Sequence, residues 1–180
     1  MRTETTVMYI VRLTVTLLLI CAVVAGALAG VNALTKDAIA TNQEKKTLDA
    51  LTVVLPGVEG LKKQPLADDA GIVAEVYASG DSYAVKVLPG GFGGNITMMV
   101  GIRNGQLTGI SVISHAETPG LGAVAAAQNA KGEAFRSQFV GQSGTLTVGD
   151  QIDAISSATI TSNAVVTGVN AALSYVANLG

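Results

Sequence analysis

The sequence predicts an α+β fold in which an N-terminal transmembrane helix precedes a domain with a mainly antiparallel sheet and packed helices. Three observations support this. A long run near the N-terminus is apolar and uncharged, short β-type runs are separated by tight-turn residues, and helical patterns follow the strands. We expect the anchor at residues 1–34, a helical stalk at 35–56 and the globular domain at 57–180.

The anchor prediction depends on residues 13–31, which contain no charged side chain. At 1.5 Å per residue such a helix crosses a bilayer core of about 30 Å. The alternative is a cleaved signal peptide, because Ala27 and Ala29 form a small-residue cleavage pattern. The apolar run exceeds the length of a usual signal-peptide core, so we expect an uncleaved single-pass anchor. Basic residues lie on both sides of the run and do not settle its orientation.

Composition excludes several classes of function. The net charge is −2 and no basic block occurs, which argues against nucleic-acid binding. Charged residues make up 13% of the chain, about half the usual share of roughly 25%. Cys21 and His115 are the only residues of their types, so an internal disulfide, an iron–sulfur cluster and a Cys/His metal site are not expected.

A helical pattern covers residues 32–55 and stops at Pro56-Gly57. Residues 58–71 have the composition of a surface connection. Strand patterns then occupy residues 72–78, 83–88, 96–102 and 107–114. Because Gly80-Asp81 and Asn104-Gly105 are hairpin-turn sequences, we expect an antiparallel meander.

The remaining elements are predicted to be mainly helical. Residues 121–140 suggest an Ala-rich helix interrupted near Lys131-Gly132. A short strand is expected at 145–148 and a last amphipathic helix at 162–178. Strands followed by helices are typical of an α+β domain.

A hydroxyl-rich turn precedes the last helix, with four side-chain hydroxyls at Ser156, Ser157, Thr159 and Thr161. A helix N-terminus presents unpaired N–H groups and partial positive charge, and therefore suits a phosphate group. Ser and Thr are also ordinary helix-capping residues. From the residues alone, both interpretations stay open.

The turn resembles the flavin-attachment motif of the FMN-binding subunits of Rnf and sodium-pumping NADH:quinone reductase complexes. That motif is Asp, two variable residues, Ser or Thr, usually Gly, then Ala-Thr; Asp153, Ser156, Ala158 and Thr159 match it. The resemblance implies that Thr159 carries FMN through a phosphoester installed by a flavin transferase that uses FAD. It implies that the transferase recognises Asp153. The alternative is that Asp153 contacts FMN directly. Ser157 replaces the usual Gly, which reaches positive φ more cheaply.

Two other segments resemble the same family. The sequence Gly91-Phe92-Gly93-Gly94 is similar to a Gly-Tyr-x-Gly loop, although alone it would be an ordinary turn. The sequence from Glu117 to Gly122 is similar to the Glu-Thr-Pro-Gly-Leu-Gly stretch that lies beside the isoalloxazine. His115 is expected to be a surface residue at a strand end rather than a proton donor. The resemblance implies an FMN site formed by Gly91, Phe92, Glu117, Thr118, Leu121, Gly122, Ser156, Ser157, Ala158, Thr159 and Thr161.

Chain length and motif order are most similar to the G subunits of Rnf complexes. This resemblance implies a flavoprotein that relays electrons within an ion-translocating ferredoxin:NAD+ oxidoreductase, beside other membrane and peripheral subunits. It also implies a domain on the extracytoplasmic side of the cell membrane. The coupling ion, Na+ or H+, stays open, and no complete active site is expected in this chain. Two alternatives are a tethered-FMN reductase for a small-molecule acceptor and a non-enzymatic, membrane-anchored binding module.

Overall fold

The structure is a computed structural model that describes residues 2–66 and 71–179, with side chains described from residue 8 onward. It divides into two compact units, Met1–Glu44 and Lys45–Gly180. The first helix, α1, spans Arg2–Val54 and begins in the first unit. Among the described helices, α1 alone is long and apolar enough to cross a membrane, and its apolar side chains from Met8 to Leu34 are exposed.

The second unit contains a five-stranded antiparallel sheet in the order β1-β2-β3-β4-β5. The strands are β1 (Lys62–Gln64), β2 (Val73–Ser79), β3 (Ser82–Val87), β4 (Thr97–Arg103) and β5 (Gln106–Ser114). The predicted meander is confirmed. Asn104 (φ 51°) and Gly105 (φ 76°) connect β4 to β5, and two successive positive φ angles are the requirement of the tight hairpin that their sequence predicts.

The prediction that residues 58–71 form only a surface connection is wrong, because β1 pairs with β2 at the edge of the sheet. This exposed strand has too few apolar residues for a recognisable pattern. A side-chain ion pair also connects it to β2, because Lys63 Nζ lies 3.0 Å from Glu75 Oε1 on that strand. Glu75 Oε2 also lies 3.6 Å from Lys86 Nζ on β3 and accepts a 2.7 Å hydrogen bond from the Tyr77 hydroxyl.

Three predictions after the sheet also need correction. Residues 121–140 form two helices, a 3₁₀ helix over Gly122–Ala126 and α2 over Ala130–Ser137. The chain is extended at Ala127, and the Asn129 side chain starts α2 by accepting a hydrogen bond from the Gly132 N–H at 3.0 Å. The last helix, α3 (Thr159–Ala177), begins three residues earlier than predicted.

Residues 145–148 are not a strand and make only an isolated bridge between Val148 and Ile152. Here a side chain, instead of a neighbouring strand, makes hydrogen bonds to the backbone N–H and carbonyl groups. The Leu146 N–H donates to Asn170 Oδ1, and Asn170 Nδ2 donates to the Leu146 carbonyl, both at 2.9 Å. An alternating pattern alone therefore does not reveal that this segment is held by an amide from α3.

The sheet is buried on both faces, which explains the imperfect alternation in its strands. One face packs against α3 and contains the larger core cluster. The other face packs against the last turns of α1 and residues that follow it, in the part of α1 that belongs to the second unit. Neighbouring residues divide between the faces, as Met98 and Met99 do on β4.

A bulge in β5 ties the end of α1 to the sheet. Gly101 pairs with Gly109 and Ile102 with Leu107, which leaves Thr108 as the extra residue. The Thr108 hydroxyl donates to the carbonyl of Val54, one of the last carbonyls of α1 that lack a helical partner.

The paired glycines of this bulge should respond differently to substitution. A Cβ at Gly101 would overlap the Val54 carbonyl and the Thr108 hydroxyl, whereas a Cβ at Gly109 would meet no atom within 4 Å. We expect Gly101→Ala to lower the free energy of unfolding by about 1–3 kcal/mol and Gly109→Ala to leave it nearly unchanged. Urea unfolding of the detergent-solubilised chain, followed by tyrosine near-ultraviolet circular dichroism, measures both. Equal effects would contradict the close packing of α1 on the sheet.

Candidate functional site

A cleft of about 360 Å³ lies where three chain segments meet: the loop before β4, the turn after β5 and the start of α3. Its volume is within the range of small-molecule sites. Its lining residues are Phe92, Glu117, Thr118, Leu121, Gly122, Ser157, Ala158, Thr159, Ile160 and Thr161. The structure thus brings together residues from all three motifs noted in the sequence. Gly91 and Ser156 do not line the cleft, and Ile160 was not identified from the sequence.

The hydroxyl-rich turn does not cap α3 with its side chains. The residue before the helix is Ala158, and no side chain makes a capping hydrogen bond there. The first N–H groups of an α-helix have no helical acceptor, so those of this turn stay available to a ligand. Within the described part of the chain, the hydroxyls of Ser156, Ser157 and Thr159 have no hydrogen-bond partner, and Thr159 is exposed. Capping therefore does not explain why three of these hydroxyls are present.

Side chains outside the motif core fix the geometry of this turn. The Ser162 hydroxyl accepts from the Ile155 N–H at 2.9 Å and donates to the Ala158 carbonyl at 3.0 Å. The Asp153 N–H donates to Gln138 Oε1 at 2.7 Å, and Gln138 Nε2 donates back to the Asp153 carbonyl at 3.4 Å. The Asp153 side chain is left exposed. Gln138 lies 15 residues before Asp153 in the sequence, and no sequence pattern indicated that the two residues pair.

Glu117 is buried, with 6% of its surface exposed, and joins the three segments. Its Oε1 accepts from the Gly93 N–H at 3.0 Å, and its Oε2 accepts from the Thr161 hydroxyl. Burial alone would raise the pKa of Glu117. The hydrogen bonds from Thr161 and from the N–H groups of Gly93 and Phe92, with a smaller contribution from His115, outweigh burial and hold the pKa below its ordinary value.

Three glycines around Glu117 lie where a side chain would overlap the Glu117 carboxylate or the atoms beside it. A Cβ at Gly91 would overlap Glu117 Oε1, and a Cβ at Gly122 would overlap both Thr161 Oγ1 and Glu117 Oε2. A Cβ at Gly93 would overlap the Ala116 carbonyl. Close approach therefore explains these three glycines, whereas Gly94 and Gly120 of the same motifs have positive φ angles of 134° and 76°.

The rim of the cleft is apolar. Phe92, Leu121 and Ile160 are 67%, 41% and 56% exposed, and each comes from a different segment. Such side chains can contact a planar ring system, while the first turn of α3 can contact an anionic group. His115 is exposed, as expected, and its Nδ1 accepts from the Glu117 N–H at 3.2 Å.

Two protein families match separate parts of the chain. A family described as the FMN-binding domain matches residues 91–174, which include the whole cleft. A family described as the RnfG N-terminal region matches residues 8–54, which include most of α1.

The similar proteins are named as G subunits of ion-translocating complexes. The one from the ion-translocating oxidoreductase complex of Methanosarcina acetivorans is 33% identical over 93% of this chain and 94% of its own length. The one from the Na(+)-translocating ferredoxin:NAD(+) oxidoreductase complex of Acetobacterium woodii is 32% identical over 93% of this chain and 92% of its own. The one from the proton-translocating ferredoxin:NAD(+) oxidoreductase complex of Clostridium ljungdahlii is 39% identical over 53% of each chain.

Ser157 offers a test of the turn, because it adopts φ 62° where a side chain is disfavoured. We expect Ser157→Gly to raise the free energy of unfolding by about 0.5–1 kcal/mol, after the entropy of the more flexible unfolded glycine is subtracted. Ser157→Ala is the control, since it removes the hydroxyl and keeps the Cβ. Urea unfolding measures the difference. A gain in Ser157→Ala equal to that in Ser157→Gly would contradict the assignment to backbone strain.

Glu117 should make stability depend on pH. Because its folded-state pKa lies below the ordinary 4.5, its contribution is fully present above that pH and is lost as the pH falls through the folded-state pKa. We expect Glu117→Gln to unfold with a weaker acid dependence than the wild type, and the exposed Glu59→Gln to match the wild type. The urea midpoint, measured while the pH is lowered from neutral through 4.5, checks this. Identical acid dependence in Glu117→Gln and wild type would contradict an ionised Glu117.

Proposed function

This chain belongs to the family of Rnf G subunits, and we propose that it is a membrane-anchored flavoprotein with FMN bound covalently to Thr159. In this proposal it relays electrons within an ion-translocating ferredoxin:NAD+ oxidoreductase. The single observation that carries the proposal is the exposed Thr159, at the start of a 19-residue helix and on the wall of the cleft. Its hydroxyl has no partner among the described residues.

The residues of the cleft fit FMN in both of its chemical parts. A phosphate esterified to Thr159 would lie at the N-terminus of α3, where N–H groups and the helix dipole favour negative charge. The exposed apolar side chains of Phe92, Leu121 and Ile160 would contact the isoalloxazine. Thr118, next to the buried Glu117, would offer a hydroxyl to the polar edge of the ring.

We propose that attachment is catalysed by a flavin transferase with FAD as donor. The Thr159 oxygen would form a new bond to the FMN phosphorus, the pyrophosphate bond of FAD would break, AMP would leave and the hydroxyl proton would be released. The exposed carboxylate of Asp153, six residues before Thr159, is positioned for recognition by such an enzyme.

Bound FMN supplies electron transfer in single or paired steps. The chain's own residues would hold it, orient its ring and keep it from diffusing away, so Thr159 is a carrier and not a nucleophile of turnover. We propose that the other redox centres belong to partner subunits; in the described residues no group of three His, Cys, Asp or Glu could hold a metal ion.

The membrane arrangement completes the proposal. Residues 1–34 would anchor the chain, 35–56 would form a stalk whose helix ends at Val54, and 57–180 would form the FMN-binding domain on the extracytoplasmic side. Other membrane and peripheral subunits would donate and accept electrons. Because the relatives include complexes named for Na+ and for protons, membership of this family does not by itself identify the coupling ion.

Intact-mass measurement tests the central claim. Full-length wild type, co-produced with a flavin transferase, should gain the mass of one FMN moiety, and its denatured band should fluoresce under ultraviolet light. Thr159→Ala should abolish both signals. Thr167→Ala, which removes another exposed threonine of the same helix, should retain both.

Two outcomes would contradict the proposed function. Flavin retained on Thr159→Ala would overturn the attachment site. Wild type without flavin would favour a membrane-anchored binding module in place of an electron carrier.

A further inference from the structure

We propose that Glu117 is a positioning residue whose ionised carboxylate, held by Thr161 and Gly93, sets the relative positions of the three segments around FMN. The inference rests on the proposed function for its reference to FMN. Its structural part concerns the chain alone. It assigns Glu117 and Thr161 to the support of the site rather than to direct contact with the cofactor.

The Glu117 carboxylate is buried without a cation beside it. Among the described residues, Glu117 is the only ionisable side chain in the buried set. No described Lys, Arg or His nitrogen lies within 4.0 Å of its carboxylate. A buried carboxylate in this situation is costly unless hydrogen-bond donors satisfy it, so its position is dictated by those donors.

The donors to Glu117 come from two other segments of the chain. The Gly93 N–H group belongs to the loop before β4, and the Thr161 hydroxyl belongs to the first turn of α3. The carboxylate itself belongs to the turn after β5. One side chain thus connects three segments that are distant in sequence, and loss of either donor leaves a buried charge partly unsatisfied.

The contacts of Glu117 orient Thr159 and the loop that carries Phe92. Successive residues of an α-helix are separated by about 100°, so Thr161 and Thr159 project on nearly opposite sides of the first turn. With Thr161 2% exposed and bonded to Glu117, Thr159 is directed to the surface over the cleft. The same carboxylate accepts from the N–H of Gly93, the residue after Phe92, whose ring is exposed at the rim.

Glu117 also acts on the site through its charge. Glu117 lines the cleft and its negative charge is fixed there by its donors. A fixed negative charge beside a redox group disfavours added electrons, so Glu117 should lower the reduction potential of the bound flavin.

The test compares Glu117→Gln, Thr161→Val and Thr161→Ser in the full-length chain. Thr161→Val keeps the shape of the side chain and removes the donor, whereas Thr161→Ser keeps the donor. In a flavin-free Thr159→Ala background, hydrogen exchange of the Gly93 N–H should accelerate by about tenfold or more in Glu117→Gln and Thr161→Val, given the usual cost of an unsatisfied buried polar group. Thr161→Ser should exchange like its parent.

Two further measurements separate a positioning residue from a merely stabilising one. In flavin-loaded protein, Glu117→Gln should raise the midpoint potential of the flavin, and Thr161→Ser should leave it at the wild-type value. The combined Glu117→Gln, Thr161→Val variant should change exchange by less than the product of the single effects, because both substitutions remove one interaction.

The proposal is overturned if Thr161→Val and Thr161→Ser exchange alike, or if Glu117→Gln leaves both exchange and potential unchanged. The Thr161 pair keeps the test decisive if Glu117→Gln does not fold. Wild type that lacks flavin would refute the proposed function instead, and the flavin-free exchange experiment would still decide whether Glu117 positions the three segments.

Discussion

A carboxylate that is buried without a cation must be surrounded by donors, and this requirement organises the cleft around Glu117. Its oxygens draw the loop before β4 and the first turn of α3 together through Gly93 and Thr161. The glycines at positions 91 and 122 then follow from the space that the carboxylate takes. The ionised state is consistent with this surrounding, because the donors outweigh burial and lower the pKa.

The scaffold beneath the cleft is rigid for a separate reason. The sheet is covered by α3 on one face and by the end of α1 on the other, so its central strands are almost wholly buried. Loops that project from such a sheet have fixed ends, and a few hydrogen bonds suffice to define their shape. The site therefore combines a well-packed base with segments that a small number of polar contacts hold in place.

Local sequence patterns predicted the features that have local causes. Asn104-Gly105 predicted the hairpin because both residues tolerate positive φ, and the hydroxyl-rich turn predicted a helix start. Features held by distant side chains left no local pattern. Gln138 and Asn170 supply amides to backbone far along the chain, and the exposed β1 lacks the apolar alternation of a strand.

The site motifs were identified by resemblance, but the hydrogen bonds between them are seen only in the folded structure. Glu117 and Thr161 are 44 residues apart, and neither position indicates the other in the sequence. Thr159, in contrast, stands at the surface of a domain whose core is already closed beneath it. The FMN attachment proposed for Thr159 would need no local unfolding, so the polypeptide would fold first and the proposed flavin transferase would then act on the folded surface.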